Sequence, residues 1–170
     1  MTTFYLTVRF LHVLAGALWV GMAIFSAFFL MPAMKDAGPD GAKVMAALER
    51  RGFVAFIPIV VSVAILSGLW LYWRYTGGFS PEISRSHAGM AFGTGGALAI
   101  VAAIIGIVVV SRSLAKASAL TKQAMAMPES ARGALMATIG PLRMRAMIGA
   151  RVVAVLVIIV IGLMSVGLLL

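Results

Sequence analysis

The chain has 170 residues, of which 62% are hydrophobic and only 11% are charged. Soluble domains are about half apolar and a quarter charged, so this composition excludes a soluble globular domain and predicts an integral membrane protein. The formal net charge of +9 comes from residues that flank the apolar segments. It therefore indicates membrane topology and contact with the lipid bilayer rather than nucleic-acid binding.

Four apolar segments are long enough to cross a bilayer as helices, which takes about 20 residues each. They cover residues 5–34, 53–75, 87–110 and 152–170. The first is longer than the core of a signal peptide and lacks a small-x-small cleavage site, so we expect it to be retained. The sequence thus predicts one all-α domain over residues 1–170, a four-helix up-down bundle.

The connections between the spans differ in length and composition. Glycine and proline interrupt the first two, at residues 38–41 and 77–81. In the third, residues 111–150, apolar residues at helical spacing continue span three, and a second stretch begins at Glu129. We expect this connection to form two helical stalks outside the bilayer, with Pro141 as a kink or a restart.

Lysine and arginine are distributed unevenly between the two ends of the spans. Three of them, Arg9, Arg74 and Arg85, lie on the side of the N-terminus. The other eleven are Lys35, Lys43, Arg50, Arg51, Arg112, Lys116, Lys122, Arg132, Arg143, Arg145 and Arg151. Cytoplasmic loops carry the excess of positive charge, so the stalks are expected in the cytoplasm and both termini in the periplasm. The expected location is the bacterial inner (cytoplasmic) membrane.

The two histidines are the candidates for chemistry within the spans. None of the five acidic residues lies in a span, which argues against proton-coupled transport and paired-carboxylate catalysis. The absence of cysteine excludes thiolate sites. His12 lies about two turns inside span one and His87 begins span three, so up-down threading places both in the outer half. Either could instead be structural: an intramembrane histidine can hydrogen-bond a neighbouring helix, and His87 can be an exposed cap residue.

Small residues adjoin each histidine at helical spacing. Gly16 leaves a hollow beside His12, and Trp19 lies one turn deeper on the same face. On span three, Met90 and Thr94 share the face of the second histidine. A large planar ligand between two helices needs such gaps.

This pattern favours haem b, with the macrocycle between helices and two neutral imidazoles, His12 and His87, as axial iron ligands. The propionates would pair with the outer arginines Arg9, Arg74 and Arg85. Two strong-field ligands leave no open coordination position, so an electron carrier is expected, with a redox protein or a quinone as partner. No residue is assigned a catalytic role, and any enzymatic activity would be that of an oxidoreductase.

Two other functions stay open from the residues alone. Twelve methionines permit copper handling or transport, because thioethers suit Cu(I), although methionine is also common apolar filler. A non-catalytic assembly or scaffold protein, a homodimer among the options, would use the stalks to bind partners. A haem spectrum or a copper analysis distinguishes the three.

Residues 9–21, RFLHVLAGALWVG, followed by Pro32, form a distinctive first span, and Ser67, Gly68 and Leu69 follow in span two. These features resemble the CopD-like group, which includes the copper-resistance D membrane domain and related small proteins. The resemblance implies a four-helix bundle concerned with copper handling, haem binding or electron transfer at the outer face. It also implies that His12 is the matching functional position, whereas His87 matches only at the very start of its span.

Overall fold

The computed structural model describes residues 2–128 and 131–169, and every regular element within them is a helix. The elements in chain order are α1 Thr2–Phe25, a first π-helical turn Ser26–Leu30, α2 Met31–Asp36, α3 Pro39–Arg50, α4 Phe53–Tyr75, α5 Pro81–Ser84, α6 His87–Ile105, a second π-helical turn Gly106–Ser111, α7 Arg112–Met125 and α8 Gly133–Gly167. The all-α class is confirmed.

Four continuous helical segments are long and apolar enough to cross a membrane: Thr2–Asp36, Phe53–Tyr75, His87–Met125 and Gly133–Gly167. They overlap the four predicted spans, so the prediction of four helices that are long and apolar enough to span a membrane is confirmed. Glu129, the predicted start of the second stalk, and Leu170, the predicted end of the fourth span, lie outside the described residues.

The packing of the helices is that of a protein surrounded by lipid. Large apolar side chains such as Phe10 and Leu66 are more than 60% exposed, whereas the alanines Ala27, Ala102 and Ala154 are completely buried. Lipid tails are as apolar as leucine, so helices in a membrane associate through close packing of small residues. The exposed apolar side chains therefore form the surface that contacts lipid.

One central cluster joins the four long segments. α1 packs mainly against α4, and α6 mainly against α8, while smaller contacts join α4 to α6 and α1 to α8. The buried members of the cluster are Ala15, Trp19, Val60, Ala64, Ala102, Val153 and Val157. This cluster lies beside the predicted site on α1.

The two π-helical turns both contact α8 at a segment that contains the small residues Gly149, Ala150 and Ala154. Ala27 of the first turn packs with Ala150 and Ala154. A Cβ added to Gly149 would lie 2.9 Å from a methyl group of Val109 in the second turn. A π-helical turn adds one residue to a helix turn and shifts the faces of the residues that follow it. Neither turn was predicted from the residue pattern.

Beyond the second π-helical turn, α7 packs along α8. Its buried residues are Ser113, Ala117 and Ala124, at spacings of four and seven residues that place them on one face. α8 continues without interruption through Pro141, so this proline does not restart the helix.

Candidate functional site

The ring of His12 faces α4 from about three turns inside α1. Its Nδ1 lies 2.9 Å from the carbonyl oxygen of Ala64 and 3.3 Å from Oγ of Ser67. The hydroxyl of Ser67 itself donates to the carbonyl oxygen of Val63. His12 is half-buried, so one side of the residue is enclosed by the helix pair and the other is accessible.

These partners define which nitrogen of His12 carries the hydrogen. A backbone carbonyl can only accept a hydrogen bond, so Nδ1 is the donor to Ala64. In a neutral imidazole the other nitrogen, Nε2, then has an unshared lone pair. Within residues 2–128 and 131–169, Nε2 makes no hydrogen bond. The hydrogen bond to α4 fixes the orientation of the ring and leaves Nε2 as the nitrogen able to coordinate a metal.

Gly68 provides the surface on which this ring rests. A Cβ added at Gly68 would lie 2.7 Å from Cε1 of His12 and 3.1 Å from Nδ1. Real Cβ atoms do not approach a ring atom so closely, so the position requires glycine while the ring stays in place. From the sequence, Ser67 and Gly68 entered only through a family resemblance, and no contact with His12 was predicted for them. The sequence feature that indicates such a close contact between helices is the small size of these two residues.

The other predicted residues around His12 have different environments. Trp19 is only 7% exposed and belongs to the central cluster, so its indole packs among the helices. Gly16 has no heavy atom within 4 Å of the position its Cβ would take. The space at the Cβ position of Gly16 is therefore open, and the hollow predicted between helices beside His12 stays a prediction.

His87 is the first residue of α6 and its side chain is exposed. The preceding residue, Ser86, caps the helix by accepting a hydrogen bond at 3.1 Å from the backbone N–H of Gly89. Met90, 49% exposed, and Thr94 are also exposed. The buried residues of α6 are Ala88, Gly89, Gly95 and Ala102. His87, Met90 and Thr94 thus lie on the face of α6 that is turned away from its neighbours, and the structure does not bring them to the α4 contacts of His12.

The three outer arginines, Arg9, Arg74 and Arg85, are exposed. Of the residues that the structure describes, only Lys43 and Asp40 form an ion pair, at 2.7 Å. The guanidinium groups of the three arginines are therefore available to an anionic group from outside the described chain.

No group of three or more histidine, aspartate or glutamate side chains that could hold a metal ion occurs in residues 2–128 and 131–169. This finding bears on a bare metal ion enclosed by the protein. It does not bear on haem, whose iron takes four of its ligands from the macrocycle and needs only axial residues from the chain. Of the two histidines, His12 is the one whose ring is held by a hydrogen bond to a backbone carbonyl of another helix.

Comparison with known proteins gives no relative: no family model, no curated protein and no solved structure matches the chain. The CopD-like resemblance of residues 9–21 and Pro32 stays a prediction from the sequence.

Proposed function

We propose that the protein binds haem b in the membrane through Nε2 of His12 and acts in electron transfer. The observation that carries the proposal is the hydrogen bond from Nδ1 to the carbonyl oxygen of Ala64. Metal-ligating histidines characteristically donate their second N–H to a carbonyl or carboxylate, which fixes the tautomer and the ring orientation. The same hydrogen bond also joins α1 to α4, which is the structural role that the sequence left open for an intramembrane histidine, so the haem spectrum has to separate the two roles.

The residues around His12 fit an axial ligand. Gly68 allows the ring to rest on α4, and the space at Gly16 lies on the neighbouring face of α1. The exposed arginines Arg9, Arg74 and Arg85 are the proposed partners of the propionates. Bound haem would supply a one-electron redox centre, and the chain would hold the haem through Nε2 of His12.

His87 is the proposed second axial ligand, and its surroundings support this role less than those of His12 do. Its ring is exposed at the first position of α6, so it would have to turn from the outer face of that helix toward the haem. If His87 does not bind the haem, the chain would hold it through His12 alone, and oxidoreductase chemistry on a small molecule would become the expected activity in place of simple electron transfer. The coordination number therefore distinguishes the two forms of the proposal.

The proposed topology is an up-down bundle in the bacterial inner membrane with both termini in the periplasm. Aromatic contacts support it: Phe4 lies 5.2 Å from Trp70 and Tyr75 lies 5.4 Å from Phe92, measured between ring centroids. A Cβ at Gly167 would touch Phe92. These pairs bring the start of α1, the end of α4, the start of α6 and the end of α8 to one end of the molecule. The positive-inside rule then gives the orientation.

The test is the reduced-minus-oxidised absorbance spectrum of the detergent-purified protein, expressed with an adequate haem supply. We expect a Soret band and separate α and β bands on reduction, and their loss in His12→Ala. His87→Ala is the matched variant. Retention of the bands with a change from a six-coordinate to a five-coordinate spectrum identifies His87 as the second ligand, and an unchanged spectrum removes it from the site.

Two results would contradict the haem proposal. Colourless protein that retains copper by elemental analysis would favour copper handling through His12 and methionines. Protein that is folded, by its thermal unfolding, but holds neither haem nor copper would favour an assembly or scaffold role. A redox protein or a quinone is the proposed electron partner only if the purified protein shows the haem spectrum.

A further inference from the structure

A shallow groove runs between the second half of the His87–Ser111 helix and α8. Its volume is about 570 Å³, and it is lined by Ile105 and Val109 on one side and by Val152, Ile148, Arg145 and Pro141 on the other. We call it the α6–α8 groove. Gly149 lies in its floor, where a side chain would collide with Val109. The groove belongs to neither the surroundings of His12 nor those of His87.

Apolar residues line the groove along its length, and Arg145 is its one charged lining residue. From Val152 to Pro141 the axis of α8 advances about 16 Å, at 1.5 Å per residue. Apart from Arg145, the residues named above are apolar, and Ile148 is 55% exposed at the open side. A hydrocarbon chain needs no hydrogen-bond partner, so it suits this open and almost entirely apolar groove.

The position of Arg145 along α8 corresponds to the lipid head-group level. Counting about 20 residues from Gly167, the end of α8, covers the roughly 30 Å hydrocarbon core and reaches Ile148, four residues before the predicted start of span four at residue 152. Arg151, which is exposed and lies three residues inside this boundary, reaches the head groups with its long side chain. Arg145 lies three residues further, about 4.5 Å beyond that boundary. The head-group region extends about 5–7 Å on each side of the hydrocarbon core. Val152 and Ile105 then lie on the hydrocarbon side of the boundary.

The charge of Arg145 has no protein counterpart in residues 2–128 and 131–169, where the one ion pair joins Lys43 to Asp40. Arg112, also exposed, follows Val109 by three residues on the adjoining helix, close to the same end of the groove. Two cations that have no acidic partner among the residues the structure describes, beside an apolar groove, are complementary to a molecule with an anionic head and a hydrocarbon tail.

We propose that the α6–α8 groove binds one anionic phospholipid, with an acyl chain along Ile105, Ile148 and Val152 and the phosphate group at Arg145. The proposal requires that the protein spans a membrane and does not depend on haem. A zwitterionic lipid would place its own cation beside Arg145 and bind less well. The site would anchor the stalk formed by α7 and α8 to the membrane surface.

The test is native mass spectrometry of the full-length protein in detergent, titrated with dioleoylphosphatidylglycerol or with dioleoylphosphatidylcholine. We expect the anionic lipid to form a one-to-one adduct in preference to the zwitterionic lipid. Arg145→Gln should weaken the adduct about fivefold, the effect of one cation near an anionic lipid surface. Arg145→Lys keeps the charge and should retain most of the binding.

Matched controls use the same helix. Arg143 is exposed, two residues away and about 200° around α8, so Arg143→Gln should change binding less than twofold. Ile148→Trp fills the groove and should abolish the adduct, whereas Ile158→Trp, at a residue of α8 that is 47% exposed and outside the groove, should not.

Three outcomes would overturn the proposal: equal binding of the two lipids, an equal loss in Arg143→Gln and Arg145→Gln, or an undiminished adduct in Ile148→Trp. Thermal unfolding of each variant excludes misfolding as the cause of a loss. Because the lipid adduct is measured by mass and haem by absorbance, a failure of one proposal is visible independently of the other.

Discussion

At the scale of single residues, the two ring nitrogens of His12 differ: Nδ1 is hydrogen-bonded to α4, and Nε2 has no hydrogen-bond partner among the described residues. Its Nδ1 is bonded to Ala64, its ring rests on Gly68, and no described residue occupies Nε2. The sequence predicted that a histidine inside an apolar span would be functional. It did not predict the α4 residues that orient the ring, because contacts between two apolar helices leave no periodic signal in either one.

Gly68→Ala is expected to displace the His12 ring, because the new methyl group would lie 2.7 Å from Cε1. Overpacking of this kind destabilises proteins by about 1–3 kcal/mol, and it should also weaken the haem bands by moving Nε2. Thermal unfolding and the absorbance spectrum measure the two effects. Gly21→Ala is the control, since Gly21 is exposed on the same helix and nothing lies within 4 Å of its Cβ position, and it should leave the haem bands unchanged and stability within about 0.5 kcal/mol or higher. Equal effects of the two substitutions would contradict the close approach at Gly68.

At the scale of elements, the two π-helical turns and the small residues of α8 belong to one contact region. The second turn places Val109 and Val110 against Gly149, and the first places Ala27 against Ala150 and Ala154. A π-helical turn leaves the i to i−4 bonding pattern for one turn, and in this structure both such turns contact small residues of α8. Glycine and alanine on α8 allow the approach that supplies this packing.

Gly149→Ala should destabilise the fold, because its Cβ would lie 2.9 Å from a methyl group of Val109 and 3.1 Å from one of Val110. Both neighbours are β-branched and stiff, so we expect a loss of about 1–3 kcal/mol. Gly162→Ala is the same change in α8 at a position with nothing within 4 Å. We expect it to be neutral or slightly stabilising. Reversible thermal or denaturant unfolding compares them, and a loss of similar size in Gly162→Ala would show that helix packing at Val109 is not the cause.

At the scale of the whole molecule, the distribution of charge predicts the orientation in the membrane, whereas the contacts between helices show which helices are neighbours. Eleven of fourteen lysine and arginine residues lie on one side of the predicted spans, which predicts the orientation. The contacts among α1, α4, α6 and α8 describe which helices adjoin, but they contain no information on which end faces the cytoplasm. Orientation therefore needs an experiment in a membrane.

The absence of native cysteine makes single-cysteine labelling direct. Glu82 and Ala119 are both exposed, the first between α4 and α6 and the second on α7. We expect Glu82→Cys to react with a membrane-impermeant maleimide in cells whose outer membrane has been permeabilised, and Ala119→Cys to react only after the inner membrane is lysed. Labelling of Ala119→Cys before lysis, with Glu82→Cys protected, would reverse the proposed topology.

The sequence by itself determined the helical class and the four apolar segments, because length and hydropathy are local properties that the bilayer dimensions convert into spans. The tertiary structure decided which face of each helix is buried: His12 against Ser67 and Gly68, but His87 exposed with Met90 and Thr94. In a soluble helix, polarity marks the outer face. In a membrane, the lipid-facing and buried faces are both apolar, so only the packing of small residues distinguishes them.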